Sequence, residues 1–364
     1  MMATAIIEGV SPLTFALPSS LEAHEPPEAR GLARDEVRLM VSYLGDDAVT
    51  HTRFTSLPSL LKRVDVLVVN ESATVNAALP ATRASGQRIE LHLSQRLPGP
   101  QWAVELREPT ADRGTVPLYT AARGETILLP AGASIQLIEP YGERLTPSRT
   151  RLWLASAISD DVDAYLDHYG APIRYGYVTR PWPLSYYQTI FARDAGSAEM
   201  PSAARPFSRR VVAELVHRGI RFAPIVLHTG VSSLEEHEPP YAEYFRVADS
   251  TARIVNDARR AGGRIIAVGT TAVRALESVA SADGTVTAGS GWTELIVTPD
   301  RGIHVVDGLI TGFHEPRASH LAMLEALAGR DHLESAYAAA LSVKYLWHEF
   351  GDVHLLLPGR RVDN

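Results

Sequence analysis

The chain has no cysteine among its 364 residues. Disulfides, a thiol nucleophile, iron–sulfur ligation and thiolate zinc sites are therefore excluded. It also lacks any apolar run approaching the ~18–20 residues of a membrane-spanning helix. The opening stretch MMATAIIEGVSPLTFALPSSLEAHE has no basic region of the kind that starts a secretory signal. No membrane association is expected, and a cytoplasmic location is. An excess of positive charge is missing too: the formal net charge is −7, where a general nucleic-acid coat protein would be basic. Local basic patches remain, in RPFSRR (205–210) with Arg218 and Arg221 beyond it, and in DARRAGGR (257–264). Each reads equally as a solvated helix face or cap.

Several catalytic signatures are absent. His-Glu occurs at 24, 237, 314 and 348 but never as H-E-x-x-H. No G-x-S-x-G elbow, P-loop or G-x-G-x-x-G turn is found. No metal is expected.

What is present is a soluble-protein composition, 45% hydrophobic and 21% charged, over a length that suggests two domains. Helical periodicity appears near 208–219, 247–261, 271–280, 318–329 and 332–346. Between these lie apolar runs that read as strands: APIVLH (223–228), RIIAVG (264–269), ELIVT (294–298) and IHVVDGLI (303–310). The alternation implies βαβ units in a mostly parallel sheet or barrel. From about 74 to 155 the pattern changes to short, alternating runs punctuated by glycine and proline, among them RIELHLS, QWAVELRE and SIQLIEP. That reads as a small all-β barrel. It follows a fully apolar strand, DVLVVN (65–70), and is followed by the proline-rich connection GYVTRPWPLSYYQ. The expected architecture is α/β: a discontinuous barrel-like α/β domain (1–73 plus 156–364) with an inserted β-barrel domain (74–155).

Polar side chains gather where the apolar strands stop. DVLVV ends in Asn70-Glu71-Ser72, PIVL in His228-Thr229-Gly230, IIAV in Gly269-Thr270-Thr271, and the last strand in Thr311 with His314 beyond. Sites in α/β sheets and barrels form at the carboxyl ends of strands. The Gly-Thr-Thr turn leads into a helix whose first N–H groups and dipole suit a carboxylate or phosphate; it also fits simple N-capping by threonine. Arg274 and Glu277 share one face of that helix, either as a surface pair or with Arg274 reaching an anion.

These motifs, in this order, resemble the S-adenosylmethionine:tRNA ribosyltransferase-isomerases of queuosine biosynthesis. The resemblance rests on LPSSLEAHEPPEAR (17–30), DVLVVNES (65–72), YYQTIFA…GSAEMPSAARPF (186–207) and LHTG (227–230). It continues through GGRIIAVGTTAVRALES (262–278), VVDGLITGFHEPRAS (305–319) and FGDVHLLL (350–357). It implies an α/β barrel-like domain with an inserted β-barrel. The implied reaction moves the ribosyl part of S-adenosylmethionine onto 7-aminomethyl-7-deazaguanine in tRNA, forming epoxyqueuosine and releasing adenine and methionine without a metal. S-adenosylmethionine is thus expected as ribosyl donor and tRNA as partner, with a monomeric enzyme. By resemblance, His228, His314 and Glu71 are the acid–base candidates. Asn70, Tyr187, Gln188, Gly269, Thr270, Thr271, Arg274, Asp307 and Thr311 are candidates for binding the donor and substrate.

The chain departs from the family pattern in several places. Ala73 stands for a lysine, Ala78 and Leu346 for arginines, and Pro206 and Tyr241 for histidines; Ser202 and Ala204 replace a threonine and a glycine. These losses keep two alternatives open. One is a paralogue that uses the same donor with an acceptor other than tRNA. The other is a binding protein without activity.

Overall fold

The structure is a computed structural model that describes residues 13–111, 114–142, 150–156, 158, 161–231 and 241–359. The His237-Glu238 pair and the first twelve residues lie outside the described residues.

The chain opens with β1 (Arg38–Tyr43), β2 (Val49–Arg53), the short helix α1 (Leu57–Leu60), β3 (Val66–Asn70) and β4 (Ser72–Thr74). A run of strands follows: β5 (Ala78–Arg83), β6 (Arg88–Arg96), β7 (Gln101–Pro109), β8 (Thr115–Pro117), β9 (Thr126–Leu128), β10 (Ser134–Pro140) and β11 (Leu152–Ser156). After α2 (Val162–Tyr169) come β12 (Asp194–Ser197), α3 (Arg209–His217), β13 (Arg221–Leu227), β14 (Glu243–Val247) and α4 (Asp249–Arg260). The chain closes with β15 (Ile265–Val268), α5 (Thr270–Glu277), β16 (Gly289–Thr293), β17 (Gly308–Gly312), α6 (His320–Ala328), α7 (Arg330–Ser342) and β18 (Val353–Leu357).

The α/β part is a nine-stranded sheet in the order β16-β14-β13-β3-β15-β17-β18-β1-β2. Its centre, β13-β3-β15-β17, is wholly parallel. Every residue of β3 and β15 is buried, as expected of strands covered on both faces. Alternate side chains divide between two cores. Val66, Val68, Ile265 and Ala267 pack with α4 and α5 residues such as Val255 and Leu276. Leu67, Val69, Ile266 and Val268 point the other way, against Phe54, Phe207 and Leu215. A period of two therefore serves two helical layers.

Two expected strands take another form. ELIVT (294–298) is irregular; the strand there is β16, just upstream. IHVVDGLI begins its ladder only at Gly308. The cause is Glu277 at the end of α5, whose Oε1 accepts the His304 and Val305 amides at 3.0 and 2.9 Å. Those amides are satisfied by a side chain instead of a neighbouring strand. Strands β2 and β14 escaped the sequence reading because their half-exposed or mixed patterns give weak periodicity.

The inserted strands close a ring, β11-β10-β9-β5-β6-β7, through pairing of β7 with β11, and β8 extends β7. Leu79, Leu91, Val104, Leu106, Ile135 and Leu137 belong to its core. Closure removes exposed strand edges. The buried Glu105 is met by Arg107 at 2.7 Å and Arg151 at 3.2 Å, so its charge is compensated.

The barrel meets the large sheet where β6 approaches the end of β13. Ser94 Oγ accepts the Val231 amide at 3.1 Å. Gly230 leaves no room for a side chain there, since a Cβ would lie 2.7 Å from Ser94 Oγ and 3.0 Å from Gln95 Nε2. Gly230→Ala should push the two units apart and cost about 1–3 kcal/mol, the range for overpacking a fitted contact. A lowered unfolding midpoint in urea is the expected outcome; an unchanged one would show that the junction yields freely.

Candidate active site

The carboxyl ends of β13, β15 and β17 face the barrel across a cavity of about 360 Å³, within the size range of small-molecule sites. Ser94 and Gln95 contribute from the barrel. The connection carrying Tyr175, Tyr177 and Tyr187 forms another wall.

Gly269 makes the turn from β15 into α5 at φ 90°, a conformation that favours glycine. Its amide donates to the Ile310 carbonyl at 2.8 Å, so the turn is tied to β17. Thr270 and Thr271 occupy the first turn of α5 and line the cavity. Their position combines unpaired helix-start amides with hydroxyls.

Asn70 stands beneath this turn, fully buried. Its Oδ1 accepts the Ser72 amide at 3.0 Å and the Leu227 amide at 3.1 Å. Its Nδ2 donates to the Leu227 carbonyl at 2.8 Å and to Thr271 Oγ1 at 3.3 Å. Asn70 is thus a brace that orients Thr271 and is absent from the cavity wall.

Arg274 lines the cavity, but its guanidinium is already engaged. Nη1 meets Glu243, Nε donates to the Leu295 carbonyl at 3.0 Å and Nη2 to the Thr293 carbonyl at 3.1 Å. It therefore fixes the irregular 294–298 wall and neutralises Glu243. Burial pushes the Glu243 carboxyl up, opposed by Arg274 and by the Gly230 amide. Neither Arg274 nor Glu277 belongs to an exposed pair: Glu277 turns away to Arg301 at 2.9 Å.

His314 and Thr311 meet in the cavity, Nε2 to Oγ1 at 2.8 Å. His314 stacks on His320 with centroids 4.8 Å apart. Burial first, then the neighbouring histidines, holds His314 well below the usual imidazole range, and burial lowers His320 to about 4. Both rings are neutral at pH 7.

The remaining candidates fall outside the wall. His228 Nδ1 bonds Ser72 Oγ at 2.7 Å, and the ring lies against Gly196, where a Cβ would come within 2.7 Å of it. Glu71 pairs with the exposed Arg193 at 3.2 Å. Gln188 pins the return connection to β4, accepting the Thr74 amide at 3.1 Å and donating to the Thr74 carbonyl at 2.7 Å. Asp307 sits at the opposite, amino ends of β15 and β17, where Oδ2 accepts the Ile265 amide at 2.8 Å. That bond ties β17 to β15 and sets Asp307 away from the cavity wall.

Five residues that the sequence reading passed over line the cavity: Glu243, Glu199, His320, His348 and Glu349. The His-Glu dipeptide at 348 was weighed only as a metal motif. Among the described residues no group of three or more His, Asp or Glu side chains is placed to hold a metal. No helix among them is long and apolar enough to cross a membrane.

A cavity at parallel strand ends, walled by an antiparallel barrel, defines an α/β architecture with a candidate small-molecule site. The chain's relatives give the family. The model of the queuosine biosynthesis protein family matches residues 10–356. The chain is 35% identical over 353 residues to the S-adenosylmethionine:tRNA ribosyltransferase-isomerase of Moorella thermoacetica, covering 94% of this chain and 98% of that one. It is likewise 35% identical over 356 residues to the enzyme of that name from Gloeobacter violaceus, covering 95% of each. The crystal structure of S-adenosylmethionine tRNA ribosyltransferase from Thermotoga maritima superposes with a TM-score of 0.52 at 26% identity, covering 95% of this chain and 100% of that one. The chain belongs to the queuosine biosynthesis protein family and is an enzyme.

Asp307→Asn should lower stability by about 1 kcal/mol, the worth of a weakened hydrogen bond, while leaving S-adenosylmethionine affinity unchanged. Calorimetry and thermal unfolding on one preparation check this; a lost affinity would return Asp307 to the site.

Proposed function

We propose that this enzyme transfers and isomerises the ribosyl moiety of S-adenosylmethionine onto 7-aminomethyl-7-deazaguanine in tRNA, giving epoxyqueuosine, adenine and methionine. It would act in the cytoplasm on its tRNA. The observation that carries the reading is the meeting, in one cavity, of the α5 start, a neutral histidine pair and an aromatic wall. The proposed division of the chain, 1–73 with 156–364 against 74–155, puts this cavity at the junction of the two parts.

Each group has a task in the reaction. The methionine carboxylate of the donor suits the amides and hydroxyls of Thr270 and Thr271. The C5′ proton next to the sulfonium must be removed, and adenine must gain a proton as it leaves. His314 is fit for one of these transfers, because it is neutral and Thr311 holds one ring nitrogen, leaving the other for the substrate. Tyr187 presents a buried hydroxyl with no hydrogen-bond partner among the described residues, raised above the usual phenol range by burial and by Glu349. It is a donor in waiting for a polar substrate atom.

The second reading, an acceptor other than tRNA, draws on the lost cations. Leu346, where the family pattern has arginine, packs with an apolar cluster of Ala23, Val178, Tyr187 and Phe350. Ala78 is buried in the barrel wall. Neither position offers charge to a phosphate.

Incubation with ribose-labelled S-adenosylmethionine, with and without tRNA carrying the deazaguanine precursor, should release adenine and label the RNA only when both are present. Adenine release without RNA labelling would favour the changed acceptor. Thr271→Val should weaken S-adenosylmethionine binding by about 1.5–3 kcal/mol, as for a hydrogen bond to a charged group. Unchanged affinity in a folded variant would remove the carboxylate from α5.

A further inference from the structure

A column of three rings lines the same cavity. Tyr175 and Tyr177 stack with centroids 5.9 Å apart, and Tyr177 lies on His348 at 3.9 Å and 9°. Each phenol tip carries a carboxylate: Tyr175 donates to Glu199, and Tyr177 donates to Glu349 Oε2 at 2.7 Å. Glu349 Oε1 is shielded from solvent and has no hydrogen-bond partner among the described residues. His348 is held at φ 71°, an uncommon backbone state for a residue with a side chain, and this turn lays its ring on the column. Tyr187 stands beside the column on the same cavity. A carboxylate beside aromatic faces, with one oxygen left without a hydrogen-bond partner among the described residues, is suited to a cation of low hydration, such as a sulfonium or an alkylammonium.

We propose that the Tyr175–Tyr177–His348 stack, with Glu349 as counter-charge and Glu199 and Tyr187 alongside, is the subsite that takes an organic cation. The assignment rests on the proposed donor and acceptor, which supply two such cations: the sulfonium of S-adenosylmethionine and the ammonium of the aminomethyl acceptor.

Charge around Glu349 agrees with this role. Burial raises its carboxyl to about 7, against the lowering effects of the Tyr177 hydroxyl and Arg205. Arg205 is partly compensated by Glu28 at 2.8 Å. Glu315 faces Tyr177, and Arg174 faces Tyr187. Burial lowers His348, opposed by Glu315 and Glu22, so its ring does not repel a cation at neutral pH. An arriving cation must find Glu349 ionised, so binding expels a proton whenever the empty site is protonated. Cation preference should therefore be constant above about pH 7 and fall by up to tenfold per pH unit below it.

The test measures binding, not turnover. Calorimetry compares S-adenosylmethionine with S-adenosylhomocysteine, which lacks only the sulfonium methyl and its charge. A second arm compares 7-aminomethyl-7-deazaguanine with its neutral 7-cyano counterpart. The ratio within each arm cancels titrations common to both ligands. The native enzyme should prefer the cation by about tenfold or more in one arm, with the preference fading below pH 7. Glu349→Gln should abolish that preference and its pH dependence, and the arm affected identifies the cation. Tyr177→Phe, which keeps the ring and removes the hydroxyl at Oε2, should reduce the preference and serves if Glu349→Gln does not fold. No cation preference in either arm, or one that survives Glu349→Gln, would overturn the subsite. Failure of adenine release with the preference intact would instead strike at the proposed reaction.

Discussion

Three carboxyl-terminal ends hang on one side-chain amide. Asn70 satisfies the amide and carbonyl of Leu227, caps Ser72 and reaches Thr271. It thereby sets β3, β13 and the start of α5 in fixed relation. An amide is suited to this place because it offers donors and acceptors together, whereas a carboxylate of the same shape could only accept. Buried without those bonds, the same backbone groups would cost about 1–3 kcal/mol each. The Gly269 turn, the two threonines and the wall held by Arg274 all build outward from this brace.

The cavity is chemically mixed. A helix start and two histidines kept neutral by burial share it with stacked aromatics and carboxyls. A zwitterionic, sulfonium-bearing ligand has both kinds of charge to place there. The Arg274–Glu243 pair is compensated internally and shapes the cavity wall. The barrel completes the enclosure through Ser94 and Gln95, which explains why a β module is inserted directly after the strand that carries Asn70.

Much of this was legible in the residues. Fully apolar strands, helical periodicity and the change of pattern after residue 74 foretold an α/β sheet with a closed antiparallel insertion. Of the candidate polar residues, Thr270, Thr271, Thr311, Tyr187 and His314 line the cavity. Position along a strand, however, does not reveal which way a side chain turns. His228 turns toward Ser72 and Glu71 toward Arg193. Asp307 lies at the start of β17, away from the cavity wall, and in sequence a polar residue at the start of a strand looks the same as one at its end. Glu349 and its tyrosine column were missed because their relation is purely spatial: residues 175, 177 and 348 meet only after the chain has returned across the sheet.

The central assignment is the orientation of S-adenosylmethionine between α5 and the aromatic column. A crystal structure of the enzyme with S-adenosylmethionine bound tests it most directly. The expected result has the methionine carboxylate within hydrogen-bonding distance, about 2.7–3.2 Å, of the Thr270 and Thr271 amides, and the adenine and ribose lying toward His314. A carboxylate lodged instead at the column, or a ligand outside the space between β6 and the ends of β13, β15 and β17, would contradict it.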